Sequence, residues 1–233
     1  MSAPPASAPR VGAIIVAAGT GQRMAGADKI FAPVHGRPLL AWTVQVFEAC
    51  PAVHEIVVAV HRQAIQEGRA LARAEGWQKV SQVCRGGQRR QDSVREALWR
   101  LGKCDWVVVH DGARPCVGPE LIPRGLNAAG ETGAAVPGIP VHDTVKRADH
   151  EGIVVQTLDR ERLWLIQTPQ VFRYDILWRA YQASEDATDD AALVERQGVR
   201  VKVFPGSPDN LKVTVPSDLQ AVAQCLKAHG PAR

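Results

Sequence analysis

Short β-branched runs alternate with longer amphipathic segments through the first half of the chain, and this alternation restricts the fold more than any other feature. "AIIVA" (13–17), "EIVVAV" (55–60), "KVSQVC" (79–84) and "DWVVVH" (105–110) have the length and near-continuous apolar character of strands buried on both faces. Between them lie "PLLAWTVQVFEA" (38–49), "RQAIQEGRALARAEG" (62–76) and "RQDSVREALWRLG" (90–102), which are spaced as helices. Strand–helix–strand alternation builds a parallel sheet covered on both faces, so the expected class is α/β, doubly wound and mostly parallel. Ligands of such folds sit at the carboxyl ends of the strands, which directs attention to the loops that follow them.

The rhythm changes after residue 140. "HDTVKRADHEGIVVQTLDRERLWLIQTPQVF" (142–172) has strand-like pieces around the turn-like "ADHEG" and reads as an inserted β-hairpin arm. An arm that leaves a compact domain packs on something, and a second copy of the chain is the expected partner. Helices are expected near 174–183 and 189–197, a strand at "VRVKVF" (199–204) and a closing helix at "PSDLQAVAQCLKA" (216–228). The Ala/Pro/Ser-rich residues 1–10 read as a disordered tail without the apolar core of a signal peptide, and residues 11–233 as one domain.

Composition excludes several function classes. A net charge of +4 suits an anionic small ligand, but no Lys/Arg run or basic-aromatic interleaving points to nucleic acid. No apolar stretch is long enough to span a bilayer. The 5 cysteines are odd in number and form no C-x-x-C pair, which argues against a disulfide scaffold or zinc site and for a reducing, cytoplasmic setting.

Three loops carry the chemistry. "VGAIIVAAGTGQRM" (11–24) breaks from strand into Gly19-Thr20-Gly21, where backbone N–H groups can converge on phosphate oxygens. It fits neither the dinucleotide fingerprint, because residue 24 is Met, nor Walker A, because Ala27 follows Gly26. Arg23 and Lys29 add two cations that could stabilise charge at a triphosphate, or could simply be solvated charges on a tight turn. "RGGQRRQDSV" (85–94) offers the backbone of Gly86-Gly87 to a base edge, with Ser93 placed to reach a ligand or cap a helix. In "VVVHDGARP" (107–115), Asp111 falls at a strand's carboxyl end, where it could hold a Mg²⁺–phosphate complex or pair with Arg114 in a turn.

Together with "VHDTVKR", "QTPQVFR", "TDDA" and "NLKVTVPSDL", these loops resemble the 2-C-methyl-D-erythritol 4-phosphate cytidylyltransferase family of the non-mevalonate isoprenoid pathway, in the family's order and over roughly residues 11–222. The resemblance implies a nucleotidyltransferase of Rossmann-like fold that moves the cytidylyl group of CTP onto methylerythritol phosphate, releasing pyrophosphate, with Mg²⁺ as cofactor. It implies Arg23, Lys29 and Lys212 as catalytic cations, and Ala17, Ala18, Gly19, Gly21, Gly87, Gln88 and Ser93 at the nucleotide. Asp111, Gly112, Arg114 and Thr168 would serve the acceptor, Asp111 also reaching the metal held mostly by CTP phosphates. Thr144 and Arg160, on the arm, would bind acceptor phosphate in a neighbouring subunit's site, which implies a homodimer. Gly112 stands where the family also has Ala, a swap expected to loosen the turn.

Other residues take plainer readings. His110 and Cys116 are expected to pack, and Thr188-Asp189-Asp190 to cap a helix. A metal-dependent glycosyltransferase is disfavoured because no D-x-D occurs. Ribitol 5-phosphate cytidylyltransferase shares these loops and remains an alternative, as does a non-catalytic nucleotide-binding homologue.

Overall fold

A computed structural model of the chain describes residues 8–19, 29–183 and 186–229. The unbroken apolar run of β1 (Val11–Ala17) is buried nearly throughout, as a strand covered on both faces requires. Two short strands, β2 (Pro33–Val34) and β3 (Arg37–Pro38), lead into α1 (Leu39–Ala49), β4 (Glu55–Val60), α2 (Ile65–Ala74), β5 (Val80–Arg85), α3 (Arg90–Leu98) and β6 (Trp106–Asp111). Then come α4 (Leu121–Ala129), β7 (Ala134–Pro140), β8 (Lys146–Ala148), β9 (Val154–Thr157), β10 (Trp164–Ile166) and β11 (Gln170–Arg173). The chain closes with α5 (Tyr174–Gln182), α6 (Asp190–Glu195), β12 (Lys202–Pro205) and α7 (Asp218–His229).

The central sheet runs β10-β7-β11-β6-β1-β4-β5, with β12 also paired to β7. β5, β4, β1 and β6 are parallel neighbours, so the loops after β1, β5 and β6 emerge at one edge. In β1 the side chains alternate between faces. Ala13, Ile15 and Ala17 pack with Leu40, Phe47 and Leu121 of α1 and α4, whereas Ile14 packs with Val94, Leu98, Leu177 and Val194 of α3, α5 and α6. Both faces are therefore covered, as the doubly wound class predicts. A third cluster joins α7 to the loop after β6 through Ala113, Val213, Val222 and Leu226.

Three expectations change. The segment 142–172 is not one hairpin. Its tip is a small separate sheet of β8 and β9, but β10 and β11 return to the central sheet, and β11 lies antiparallel between β6 and β7. The apolar "WLI" and "QVF" pieces fit a core edge as well as an arm, and sequence periodicity does not separate the two. α4 and β7 were not anticipated, because "LIPRG" and "VPGIP" carry the Pro and Gly that ordinarily argue against regular elements. Arg10, expected in the tail, is tied to the domain: its N–H donates to Asp105 Oδ2 at 2.7 Å and its carbonyl accepts from the Asp105 and Trp106 N–H groups. Residues 1–7 lie outside the described residues.

No helix of the described residues is long and apolar enough to cross a membrane. All five cysteines are free.

Candidate active site

The loops after β1, β5 and β6 meet over a cavity of about 160 Å³. Its lining includes Ala17, Ala18 and Gly19 from the end of β1, and Gly87 and Gln88 from the turn between β5 and α3. Close approach explains the small residues. A Cβ on Gly86 would stand 2.2 Å from Ala18 Cβ, so only glycine lets the second loop lie against the first. Ser93, buried in the first turn of α3, accepts the Gly87 N–H at 3.1 Å and donates to the Arg89 carbonyl at 3.2 Å. It thus fixes the loop as well as lining the cavity.

Lysines from distant parts of the chain close the other wall. Lys29 Nζ donates to the Val213 carbonyl at 2.9 Å, and Val213 N–H donates to the Ala113 carbonyl at 2.8 Å. The 211–215 segment is thereby pinned between Lys29 and the loop after β6. Its Lys212 lines the cavity and donates to Asp111 Oδ2 at 2.7 Å.

Asp111 is the hub. Its second oxygen, Oδ1, accepts from Arg90 Nε at 2.8 Å, and Arg114 Nε stands 3.9 Å from Oδ2. Burial pushes this carboxyl up, but Arg90 and Lys212 together overcome the effect and hold it well below the usual carboxylate range. Arg90 reaches onward, Nη1 donating to Asp190 Oδ2 at 2.8 Å, and the Tyr181 hydroxyl donates to the other Asp190 oxygen.

Behind Asp111 the loop is held by neutral groups. Asp111 N–H donates to Thr168 Oγ1 at 3.1 Å, and Thr168 Oγ1 lies 3.0 Å from His110 Nδ1. His110 Nε2 faces the Arg114 carbonyl at 3.2 Å. A carbonyl only accepts, which assigns the proton to Nε2 and makes Nδ1 the acceptor of the Thr168 O–H. His110 is fully buried, and burial pushes it down to about 3, so it is a neutral strut as expected. Thr43 Oγ1 donates to the Gly112 carbonyl at 2.9 Å, and a Cβ on Gly112 would meet Ala17 Cβ at 2.9 Å. Gly112 therefore permits a tight seat on β1 rather than merely loosening the turn.

The model of the IspD family, 2-C-methyl-D-erythritol 4-phosphate cytidylyltransferase, matches residues 11–228. The chain belongs to the IspD family. A 2-C-methyl-D-erythritol 4-phosphate cytidylyltransferase of Dehalococcoides mccartyi (strain CBDB1) is 47% identical over 219 residues, 94% of this chain and 96% of that one. A protein of the same name from Symbiobacterium thermophilum is 45% identical over 223 residues, 93% of each chain. The crystal structure of 4-diphosphocytidyl-2C-methyl-D-erythritolsynthase from Anaerococcus prevotii DSM 20548 superposes with a TM-score of 0.84 at 27% identity, covering 94% of this chain and 96% of that one.

Of the residues that the resemblance to IspD marks out, Ala17, Ala18, Gly19, Lys29, Gly87, Gln88, Ser93, Asp111 and Lys212 line the cavity together. Gly112, Arg114 and Thr168 stand behind Asp111. Thr144 and Arg160 do not line this cavity. They are exposed at the base of the arm, where Arg160 Nη1 donates to the His142 carbonyl at 2.6 Å. Gly21 and Arg23 lie outside the described residues. Asp189 caps α6 by accepting the Ala192 N–H at 2.9 Å, as the capping reading requires. Cys116 packs beneath α7, its thiol 3.8 Å from the Val222 carbonyl. Sequence reasoning missed Arg90 and its anchor, Asp190 with Tyr181.

The donor set suits a metal only in one way. No group of three or more His, Cys, Asp or Glu side chains is placed to hold an ion among the described residues. Among the described residues Asp111 alone has carboxylate oxygens at the cavity. A single carboxylate beside a phosphate site fits Mg²⁺ carried on a substrate's phosphates, with water completing its shell, and does not fit a protein cage. A larger hollow of about 260 Å³ between α1 and α7 has no Lys or Arg in its lining among the described residues and does not suit a nucleotide.

Proposed function

We propose that this chain is a magnesium-dependent cytidylyltransferase that transfers CMP from CTP to 2-C-methyl-D-erythritol 4-phosphate, giving 4-CDP-2-C-methyl-D-erythritol and pyrophosphate. The observation that carries this reading is the meeting of small residues from two strand-end loops with the cations of Lys29 and Lys212 on one cavity beside Asp111, in a chain of the IspD family. The acceptor's phosphate oxygen attacks the α-phosphorus of CTP in line, and pyrophosphate leaves. A phosphate monoester is already an anionic nucleophile, so the protein positions the reactants and stabilises charge.

In this reading the Ala17–Gly19 backbone faces the triphosphate. Gly87 and Gln88 meet the cytosine through main-chain groups, in a turn held by Ser93. Arg23, Lys29 and Lys212 stabilise the charge that builds on the transferred phosphorus. Arg114 draws in the acceptor, and Thr168 steadies the backbone beneath Asp111. Asp111 would contribute a ligand to Mg²⁺, which when bound neutralises phosphate charge.

The arm completes the site from a second copy. Among the described residues β8 and β9 pair only with each other, and an isolated two-stranded hairpin is marginal in water. The arm nonetheless exposes Ile153, Val154 and Val155 at 62%, 55% and 53%. A contiguous apolar run of this kind is what a subunit interface covers. We assign it to a homodimer in which Thr144 and Arg160 of one copy bind the acceptor phosphate at the other's cavity. Five free thiols and phosphorylated substrates suit the cytoplasm.

The test is pyrophosphate release from CTP and Mg²⁺ with 2-C-methyl-D-erythritol 4-phosphate or ribitol 5-phosphate. Release with the first alone supports the proposal. Release with ribitol 5-phosphate alone moves the enzyme to another acceptor, and release with neither in a folded protein that binds CTP defeats the catalytic reading. Omitting Mg²⁺ should abolish release.

A further inference from the structure

The Arg90 guanidinium has one nitrogen without a bond, and its position bears on the reaction. Nε serves Asp111 and Nη1 serves Asp190, but Nη2 is buried with no hydrogen-bond partner among the described residues. In a planar guanidinium Nε and Nη2 form one edge, so this donor lies beside the bond that Nε makes to Asp111. Such an edge ordinarily binds both oxygens of a carboxylate. Here Lys212 Nζ holds Oδ2 at 2.7 Å. Two cations compete for one oxygen, and the loser is a buried donor left unsatisfied, which is costly.

The far side of Arg90 is anchored. Asp190 is fully buried and takes both the Arg90 Nη1 bond and the Tyr181 hydroxyl. Burial and the neighbouring Asp190 carboxylate raise the Tyr181 phenol, which therefore stays protonated and donating. Neither Asp190 nor Tyr181 lines the cavity, whereas Arg90 does. The guanidinium is thus fixed from behind, with its spare donor already beside Asp111. Lys212 is the mobile member of the group, its side chain 39% exposed on a flexible four-carbon stem.

We propose that Arg90 is a positioning residue that frees Lys212 for the reacting phosphates. As Lys212 Nζ turns from Asp111 toward the charge building on the transferred phosphorus, Asp111 Oδ2 passes to Arg90 Nη2, and the Arg90–Asp111 pair closes into a two-bond fork. One hydrogen bond breaks and one forms, no proton moves, and no oxygen of the buried carboxylate is left bare. The inference rests on the cytidylyl-transfer reading and adds to it the group that replaces Lys212 at Asp111.

Arg90→Lys keeps the charge but cannot form the fork. Its kcat for pyrophosphate release should fall about 10- to 100-fold with KM for CTP changed less than about threefold, the split of a group acting only in the transition state. In a Lys212→Ala background the same substitution should cost nothing further, because Arg90 acts through Lys212. An unchanged kcat, or losses that multiply independently, would overturn the proposal. A second readout needs no turnover and no change at Arg90. In a crystal structure of the Lys212→Ala variant, Nη2 should lie within about 3 Å of Asp111 Oδ2. Nη2 still unpaired there overturns the exchange whatever the substrate proves to be. A wild-type enzyme that releases no pyrophosphate defeats the functional reading instead, and the crystallographic result then decides the exchange alone.

Discussion

Lys29 and His110 show how one small region divides labour between charged and neutral groups. Lys29 lines the cavity and donates to the Val213 carbonyl, beside the segment that carries Lys212. Lys29→Ala should lower kcat about 100- to 1,000-fold, the cost of losing one preorganised donor to developing charge, while the fold survives. Arg23→Ala should do the same. Steady-state kinetics beside a thermal melt checks both. His110 is the reverse case, a group whose value is to stay uncharged. Its folded pKa of about 3 lies below the ordinary 6.5, so between those values the unfolded chain binds a proton that the folded chain refuses. The stability from this group is complete above about 6.5 and lost as pH falls toward about 3. Between pH 7 and pH 5 the metal-free protein should lose ~2 kcal/mol more than a His110→Gln variant, measured by urea unfolding.

At the scale of elements, the site depends on how closely two strand-end loops approach. Gly86→Ala would press a methyl against Ala18 Cβ and against Ser93 Oγ, which stands 2.7 Å from the added carbon. It should destabilise the protein by about 1–3 kcal/mol through overpacking and weaken CTP binding, as calorimetry would show. This is also where the sequence is most readable. Strands β1, β4, β5 and β6 are long apolar runs, and the loops after three of them hold the small and charged residues of the cavity, so element and site are written in neighbouring letters. β7 is harder to read because its pairing to β10, β11 and β12 outweighs two prolines and a glycine. The Arg90–Asp190 bond joins residues 100 apart, with nothing local to mark it. Arg90 follows another arginine, Arg89, which turns instead to Asp92 at the start of α3. Composition could not tell these two apart.

At the scale of the whole molecule, the arm and the cavity are parts of one continuous path. β10 and β11 lead from the arm back into the sheet, and Thr168 between them supports Asp111. If the apolar arm is the dimer seam, Val155→Lys should shift the protein toward monomer in sedimentation and raise KM for the acceptor far more than for CTP. A variant that stays dimeric with unchanged kinetics would confine the arm to another role.

Thr144 and Arg160 stand away from the cavity of their own chain, and if they serve a second copy's cavity, as proposed, that placement has a genetic consequence. Two classes of loss-of-function allele follow, one damaging the cavity, such as Lys29→Ala, and one damaging the arm, such as Arg160→Ala. Each is inactive alone, yet a cell expressing both would assemble mixed pairs in which one cavity keeps its own lysine and borrows an intact arginine. Such pairs should recover up to about half of the activity per dimer, complementation that two alleles of the same class cannot give.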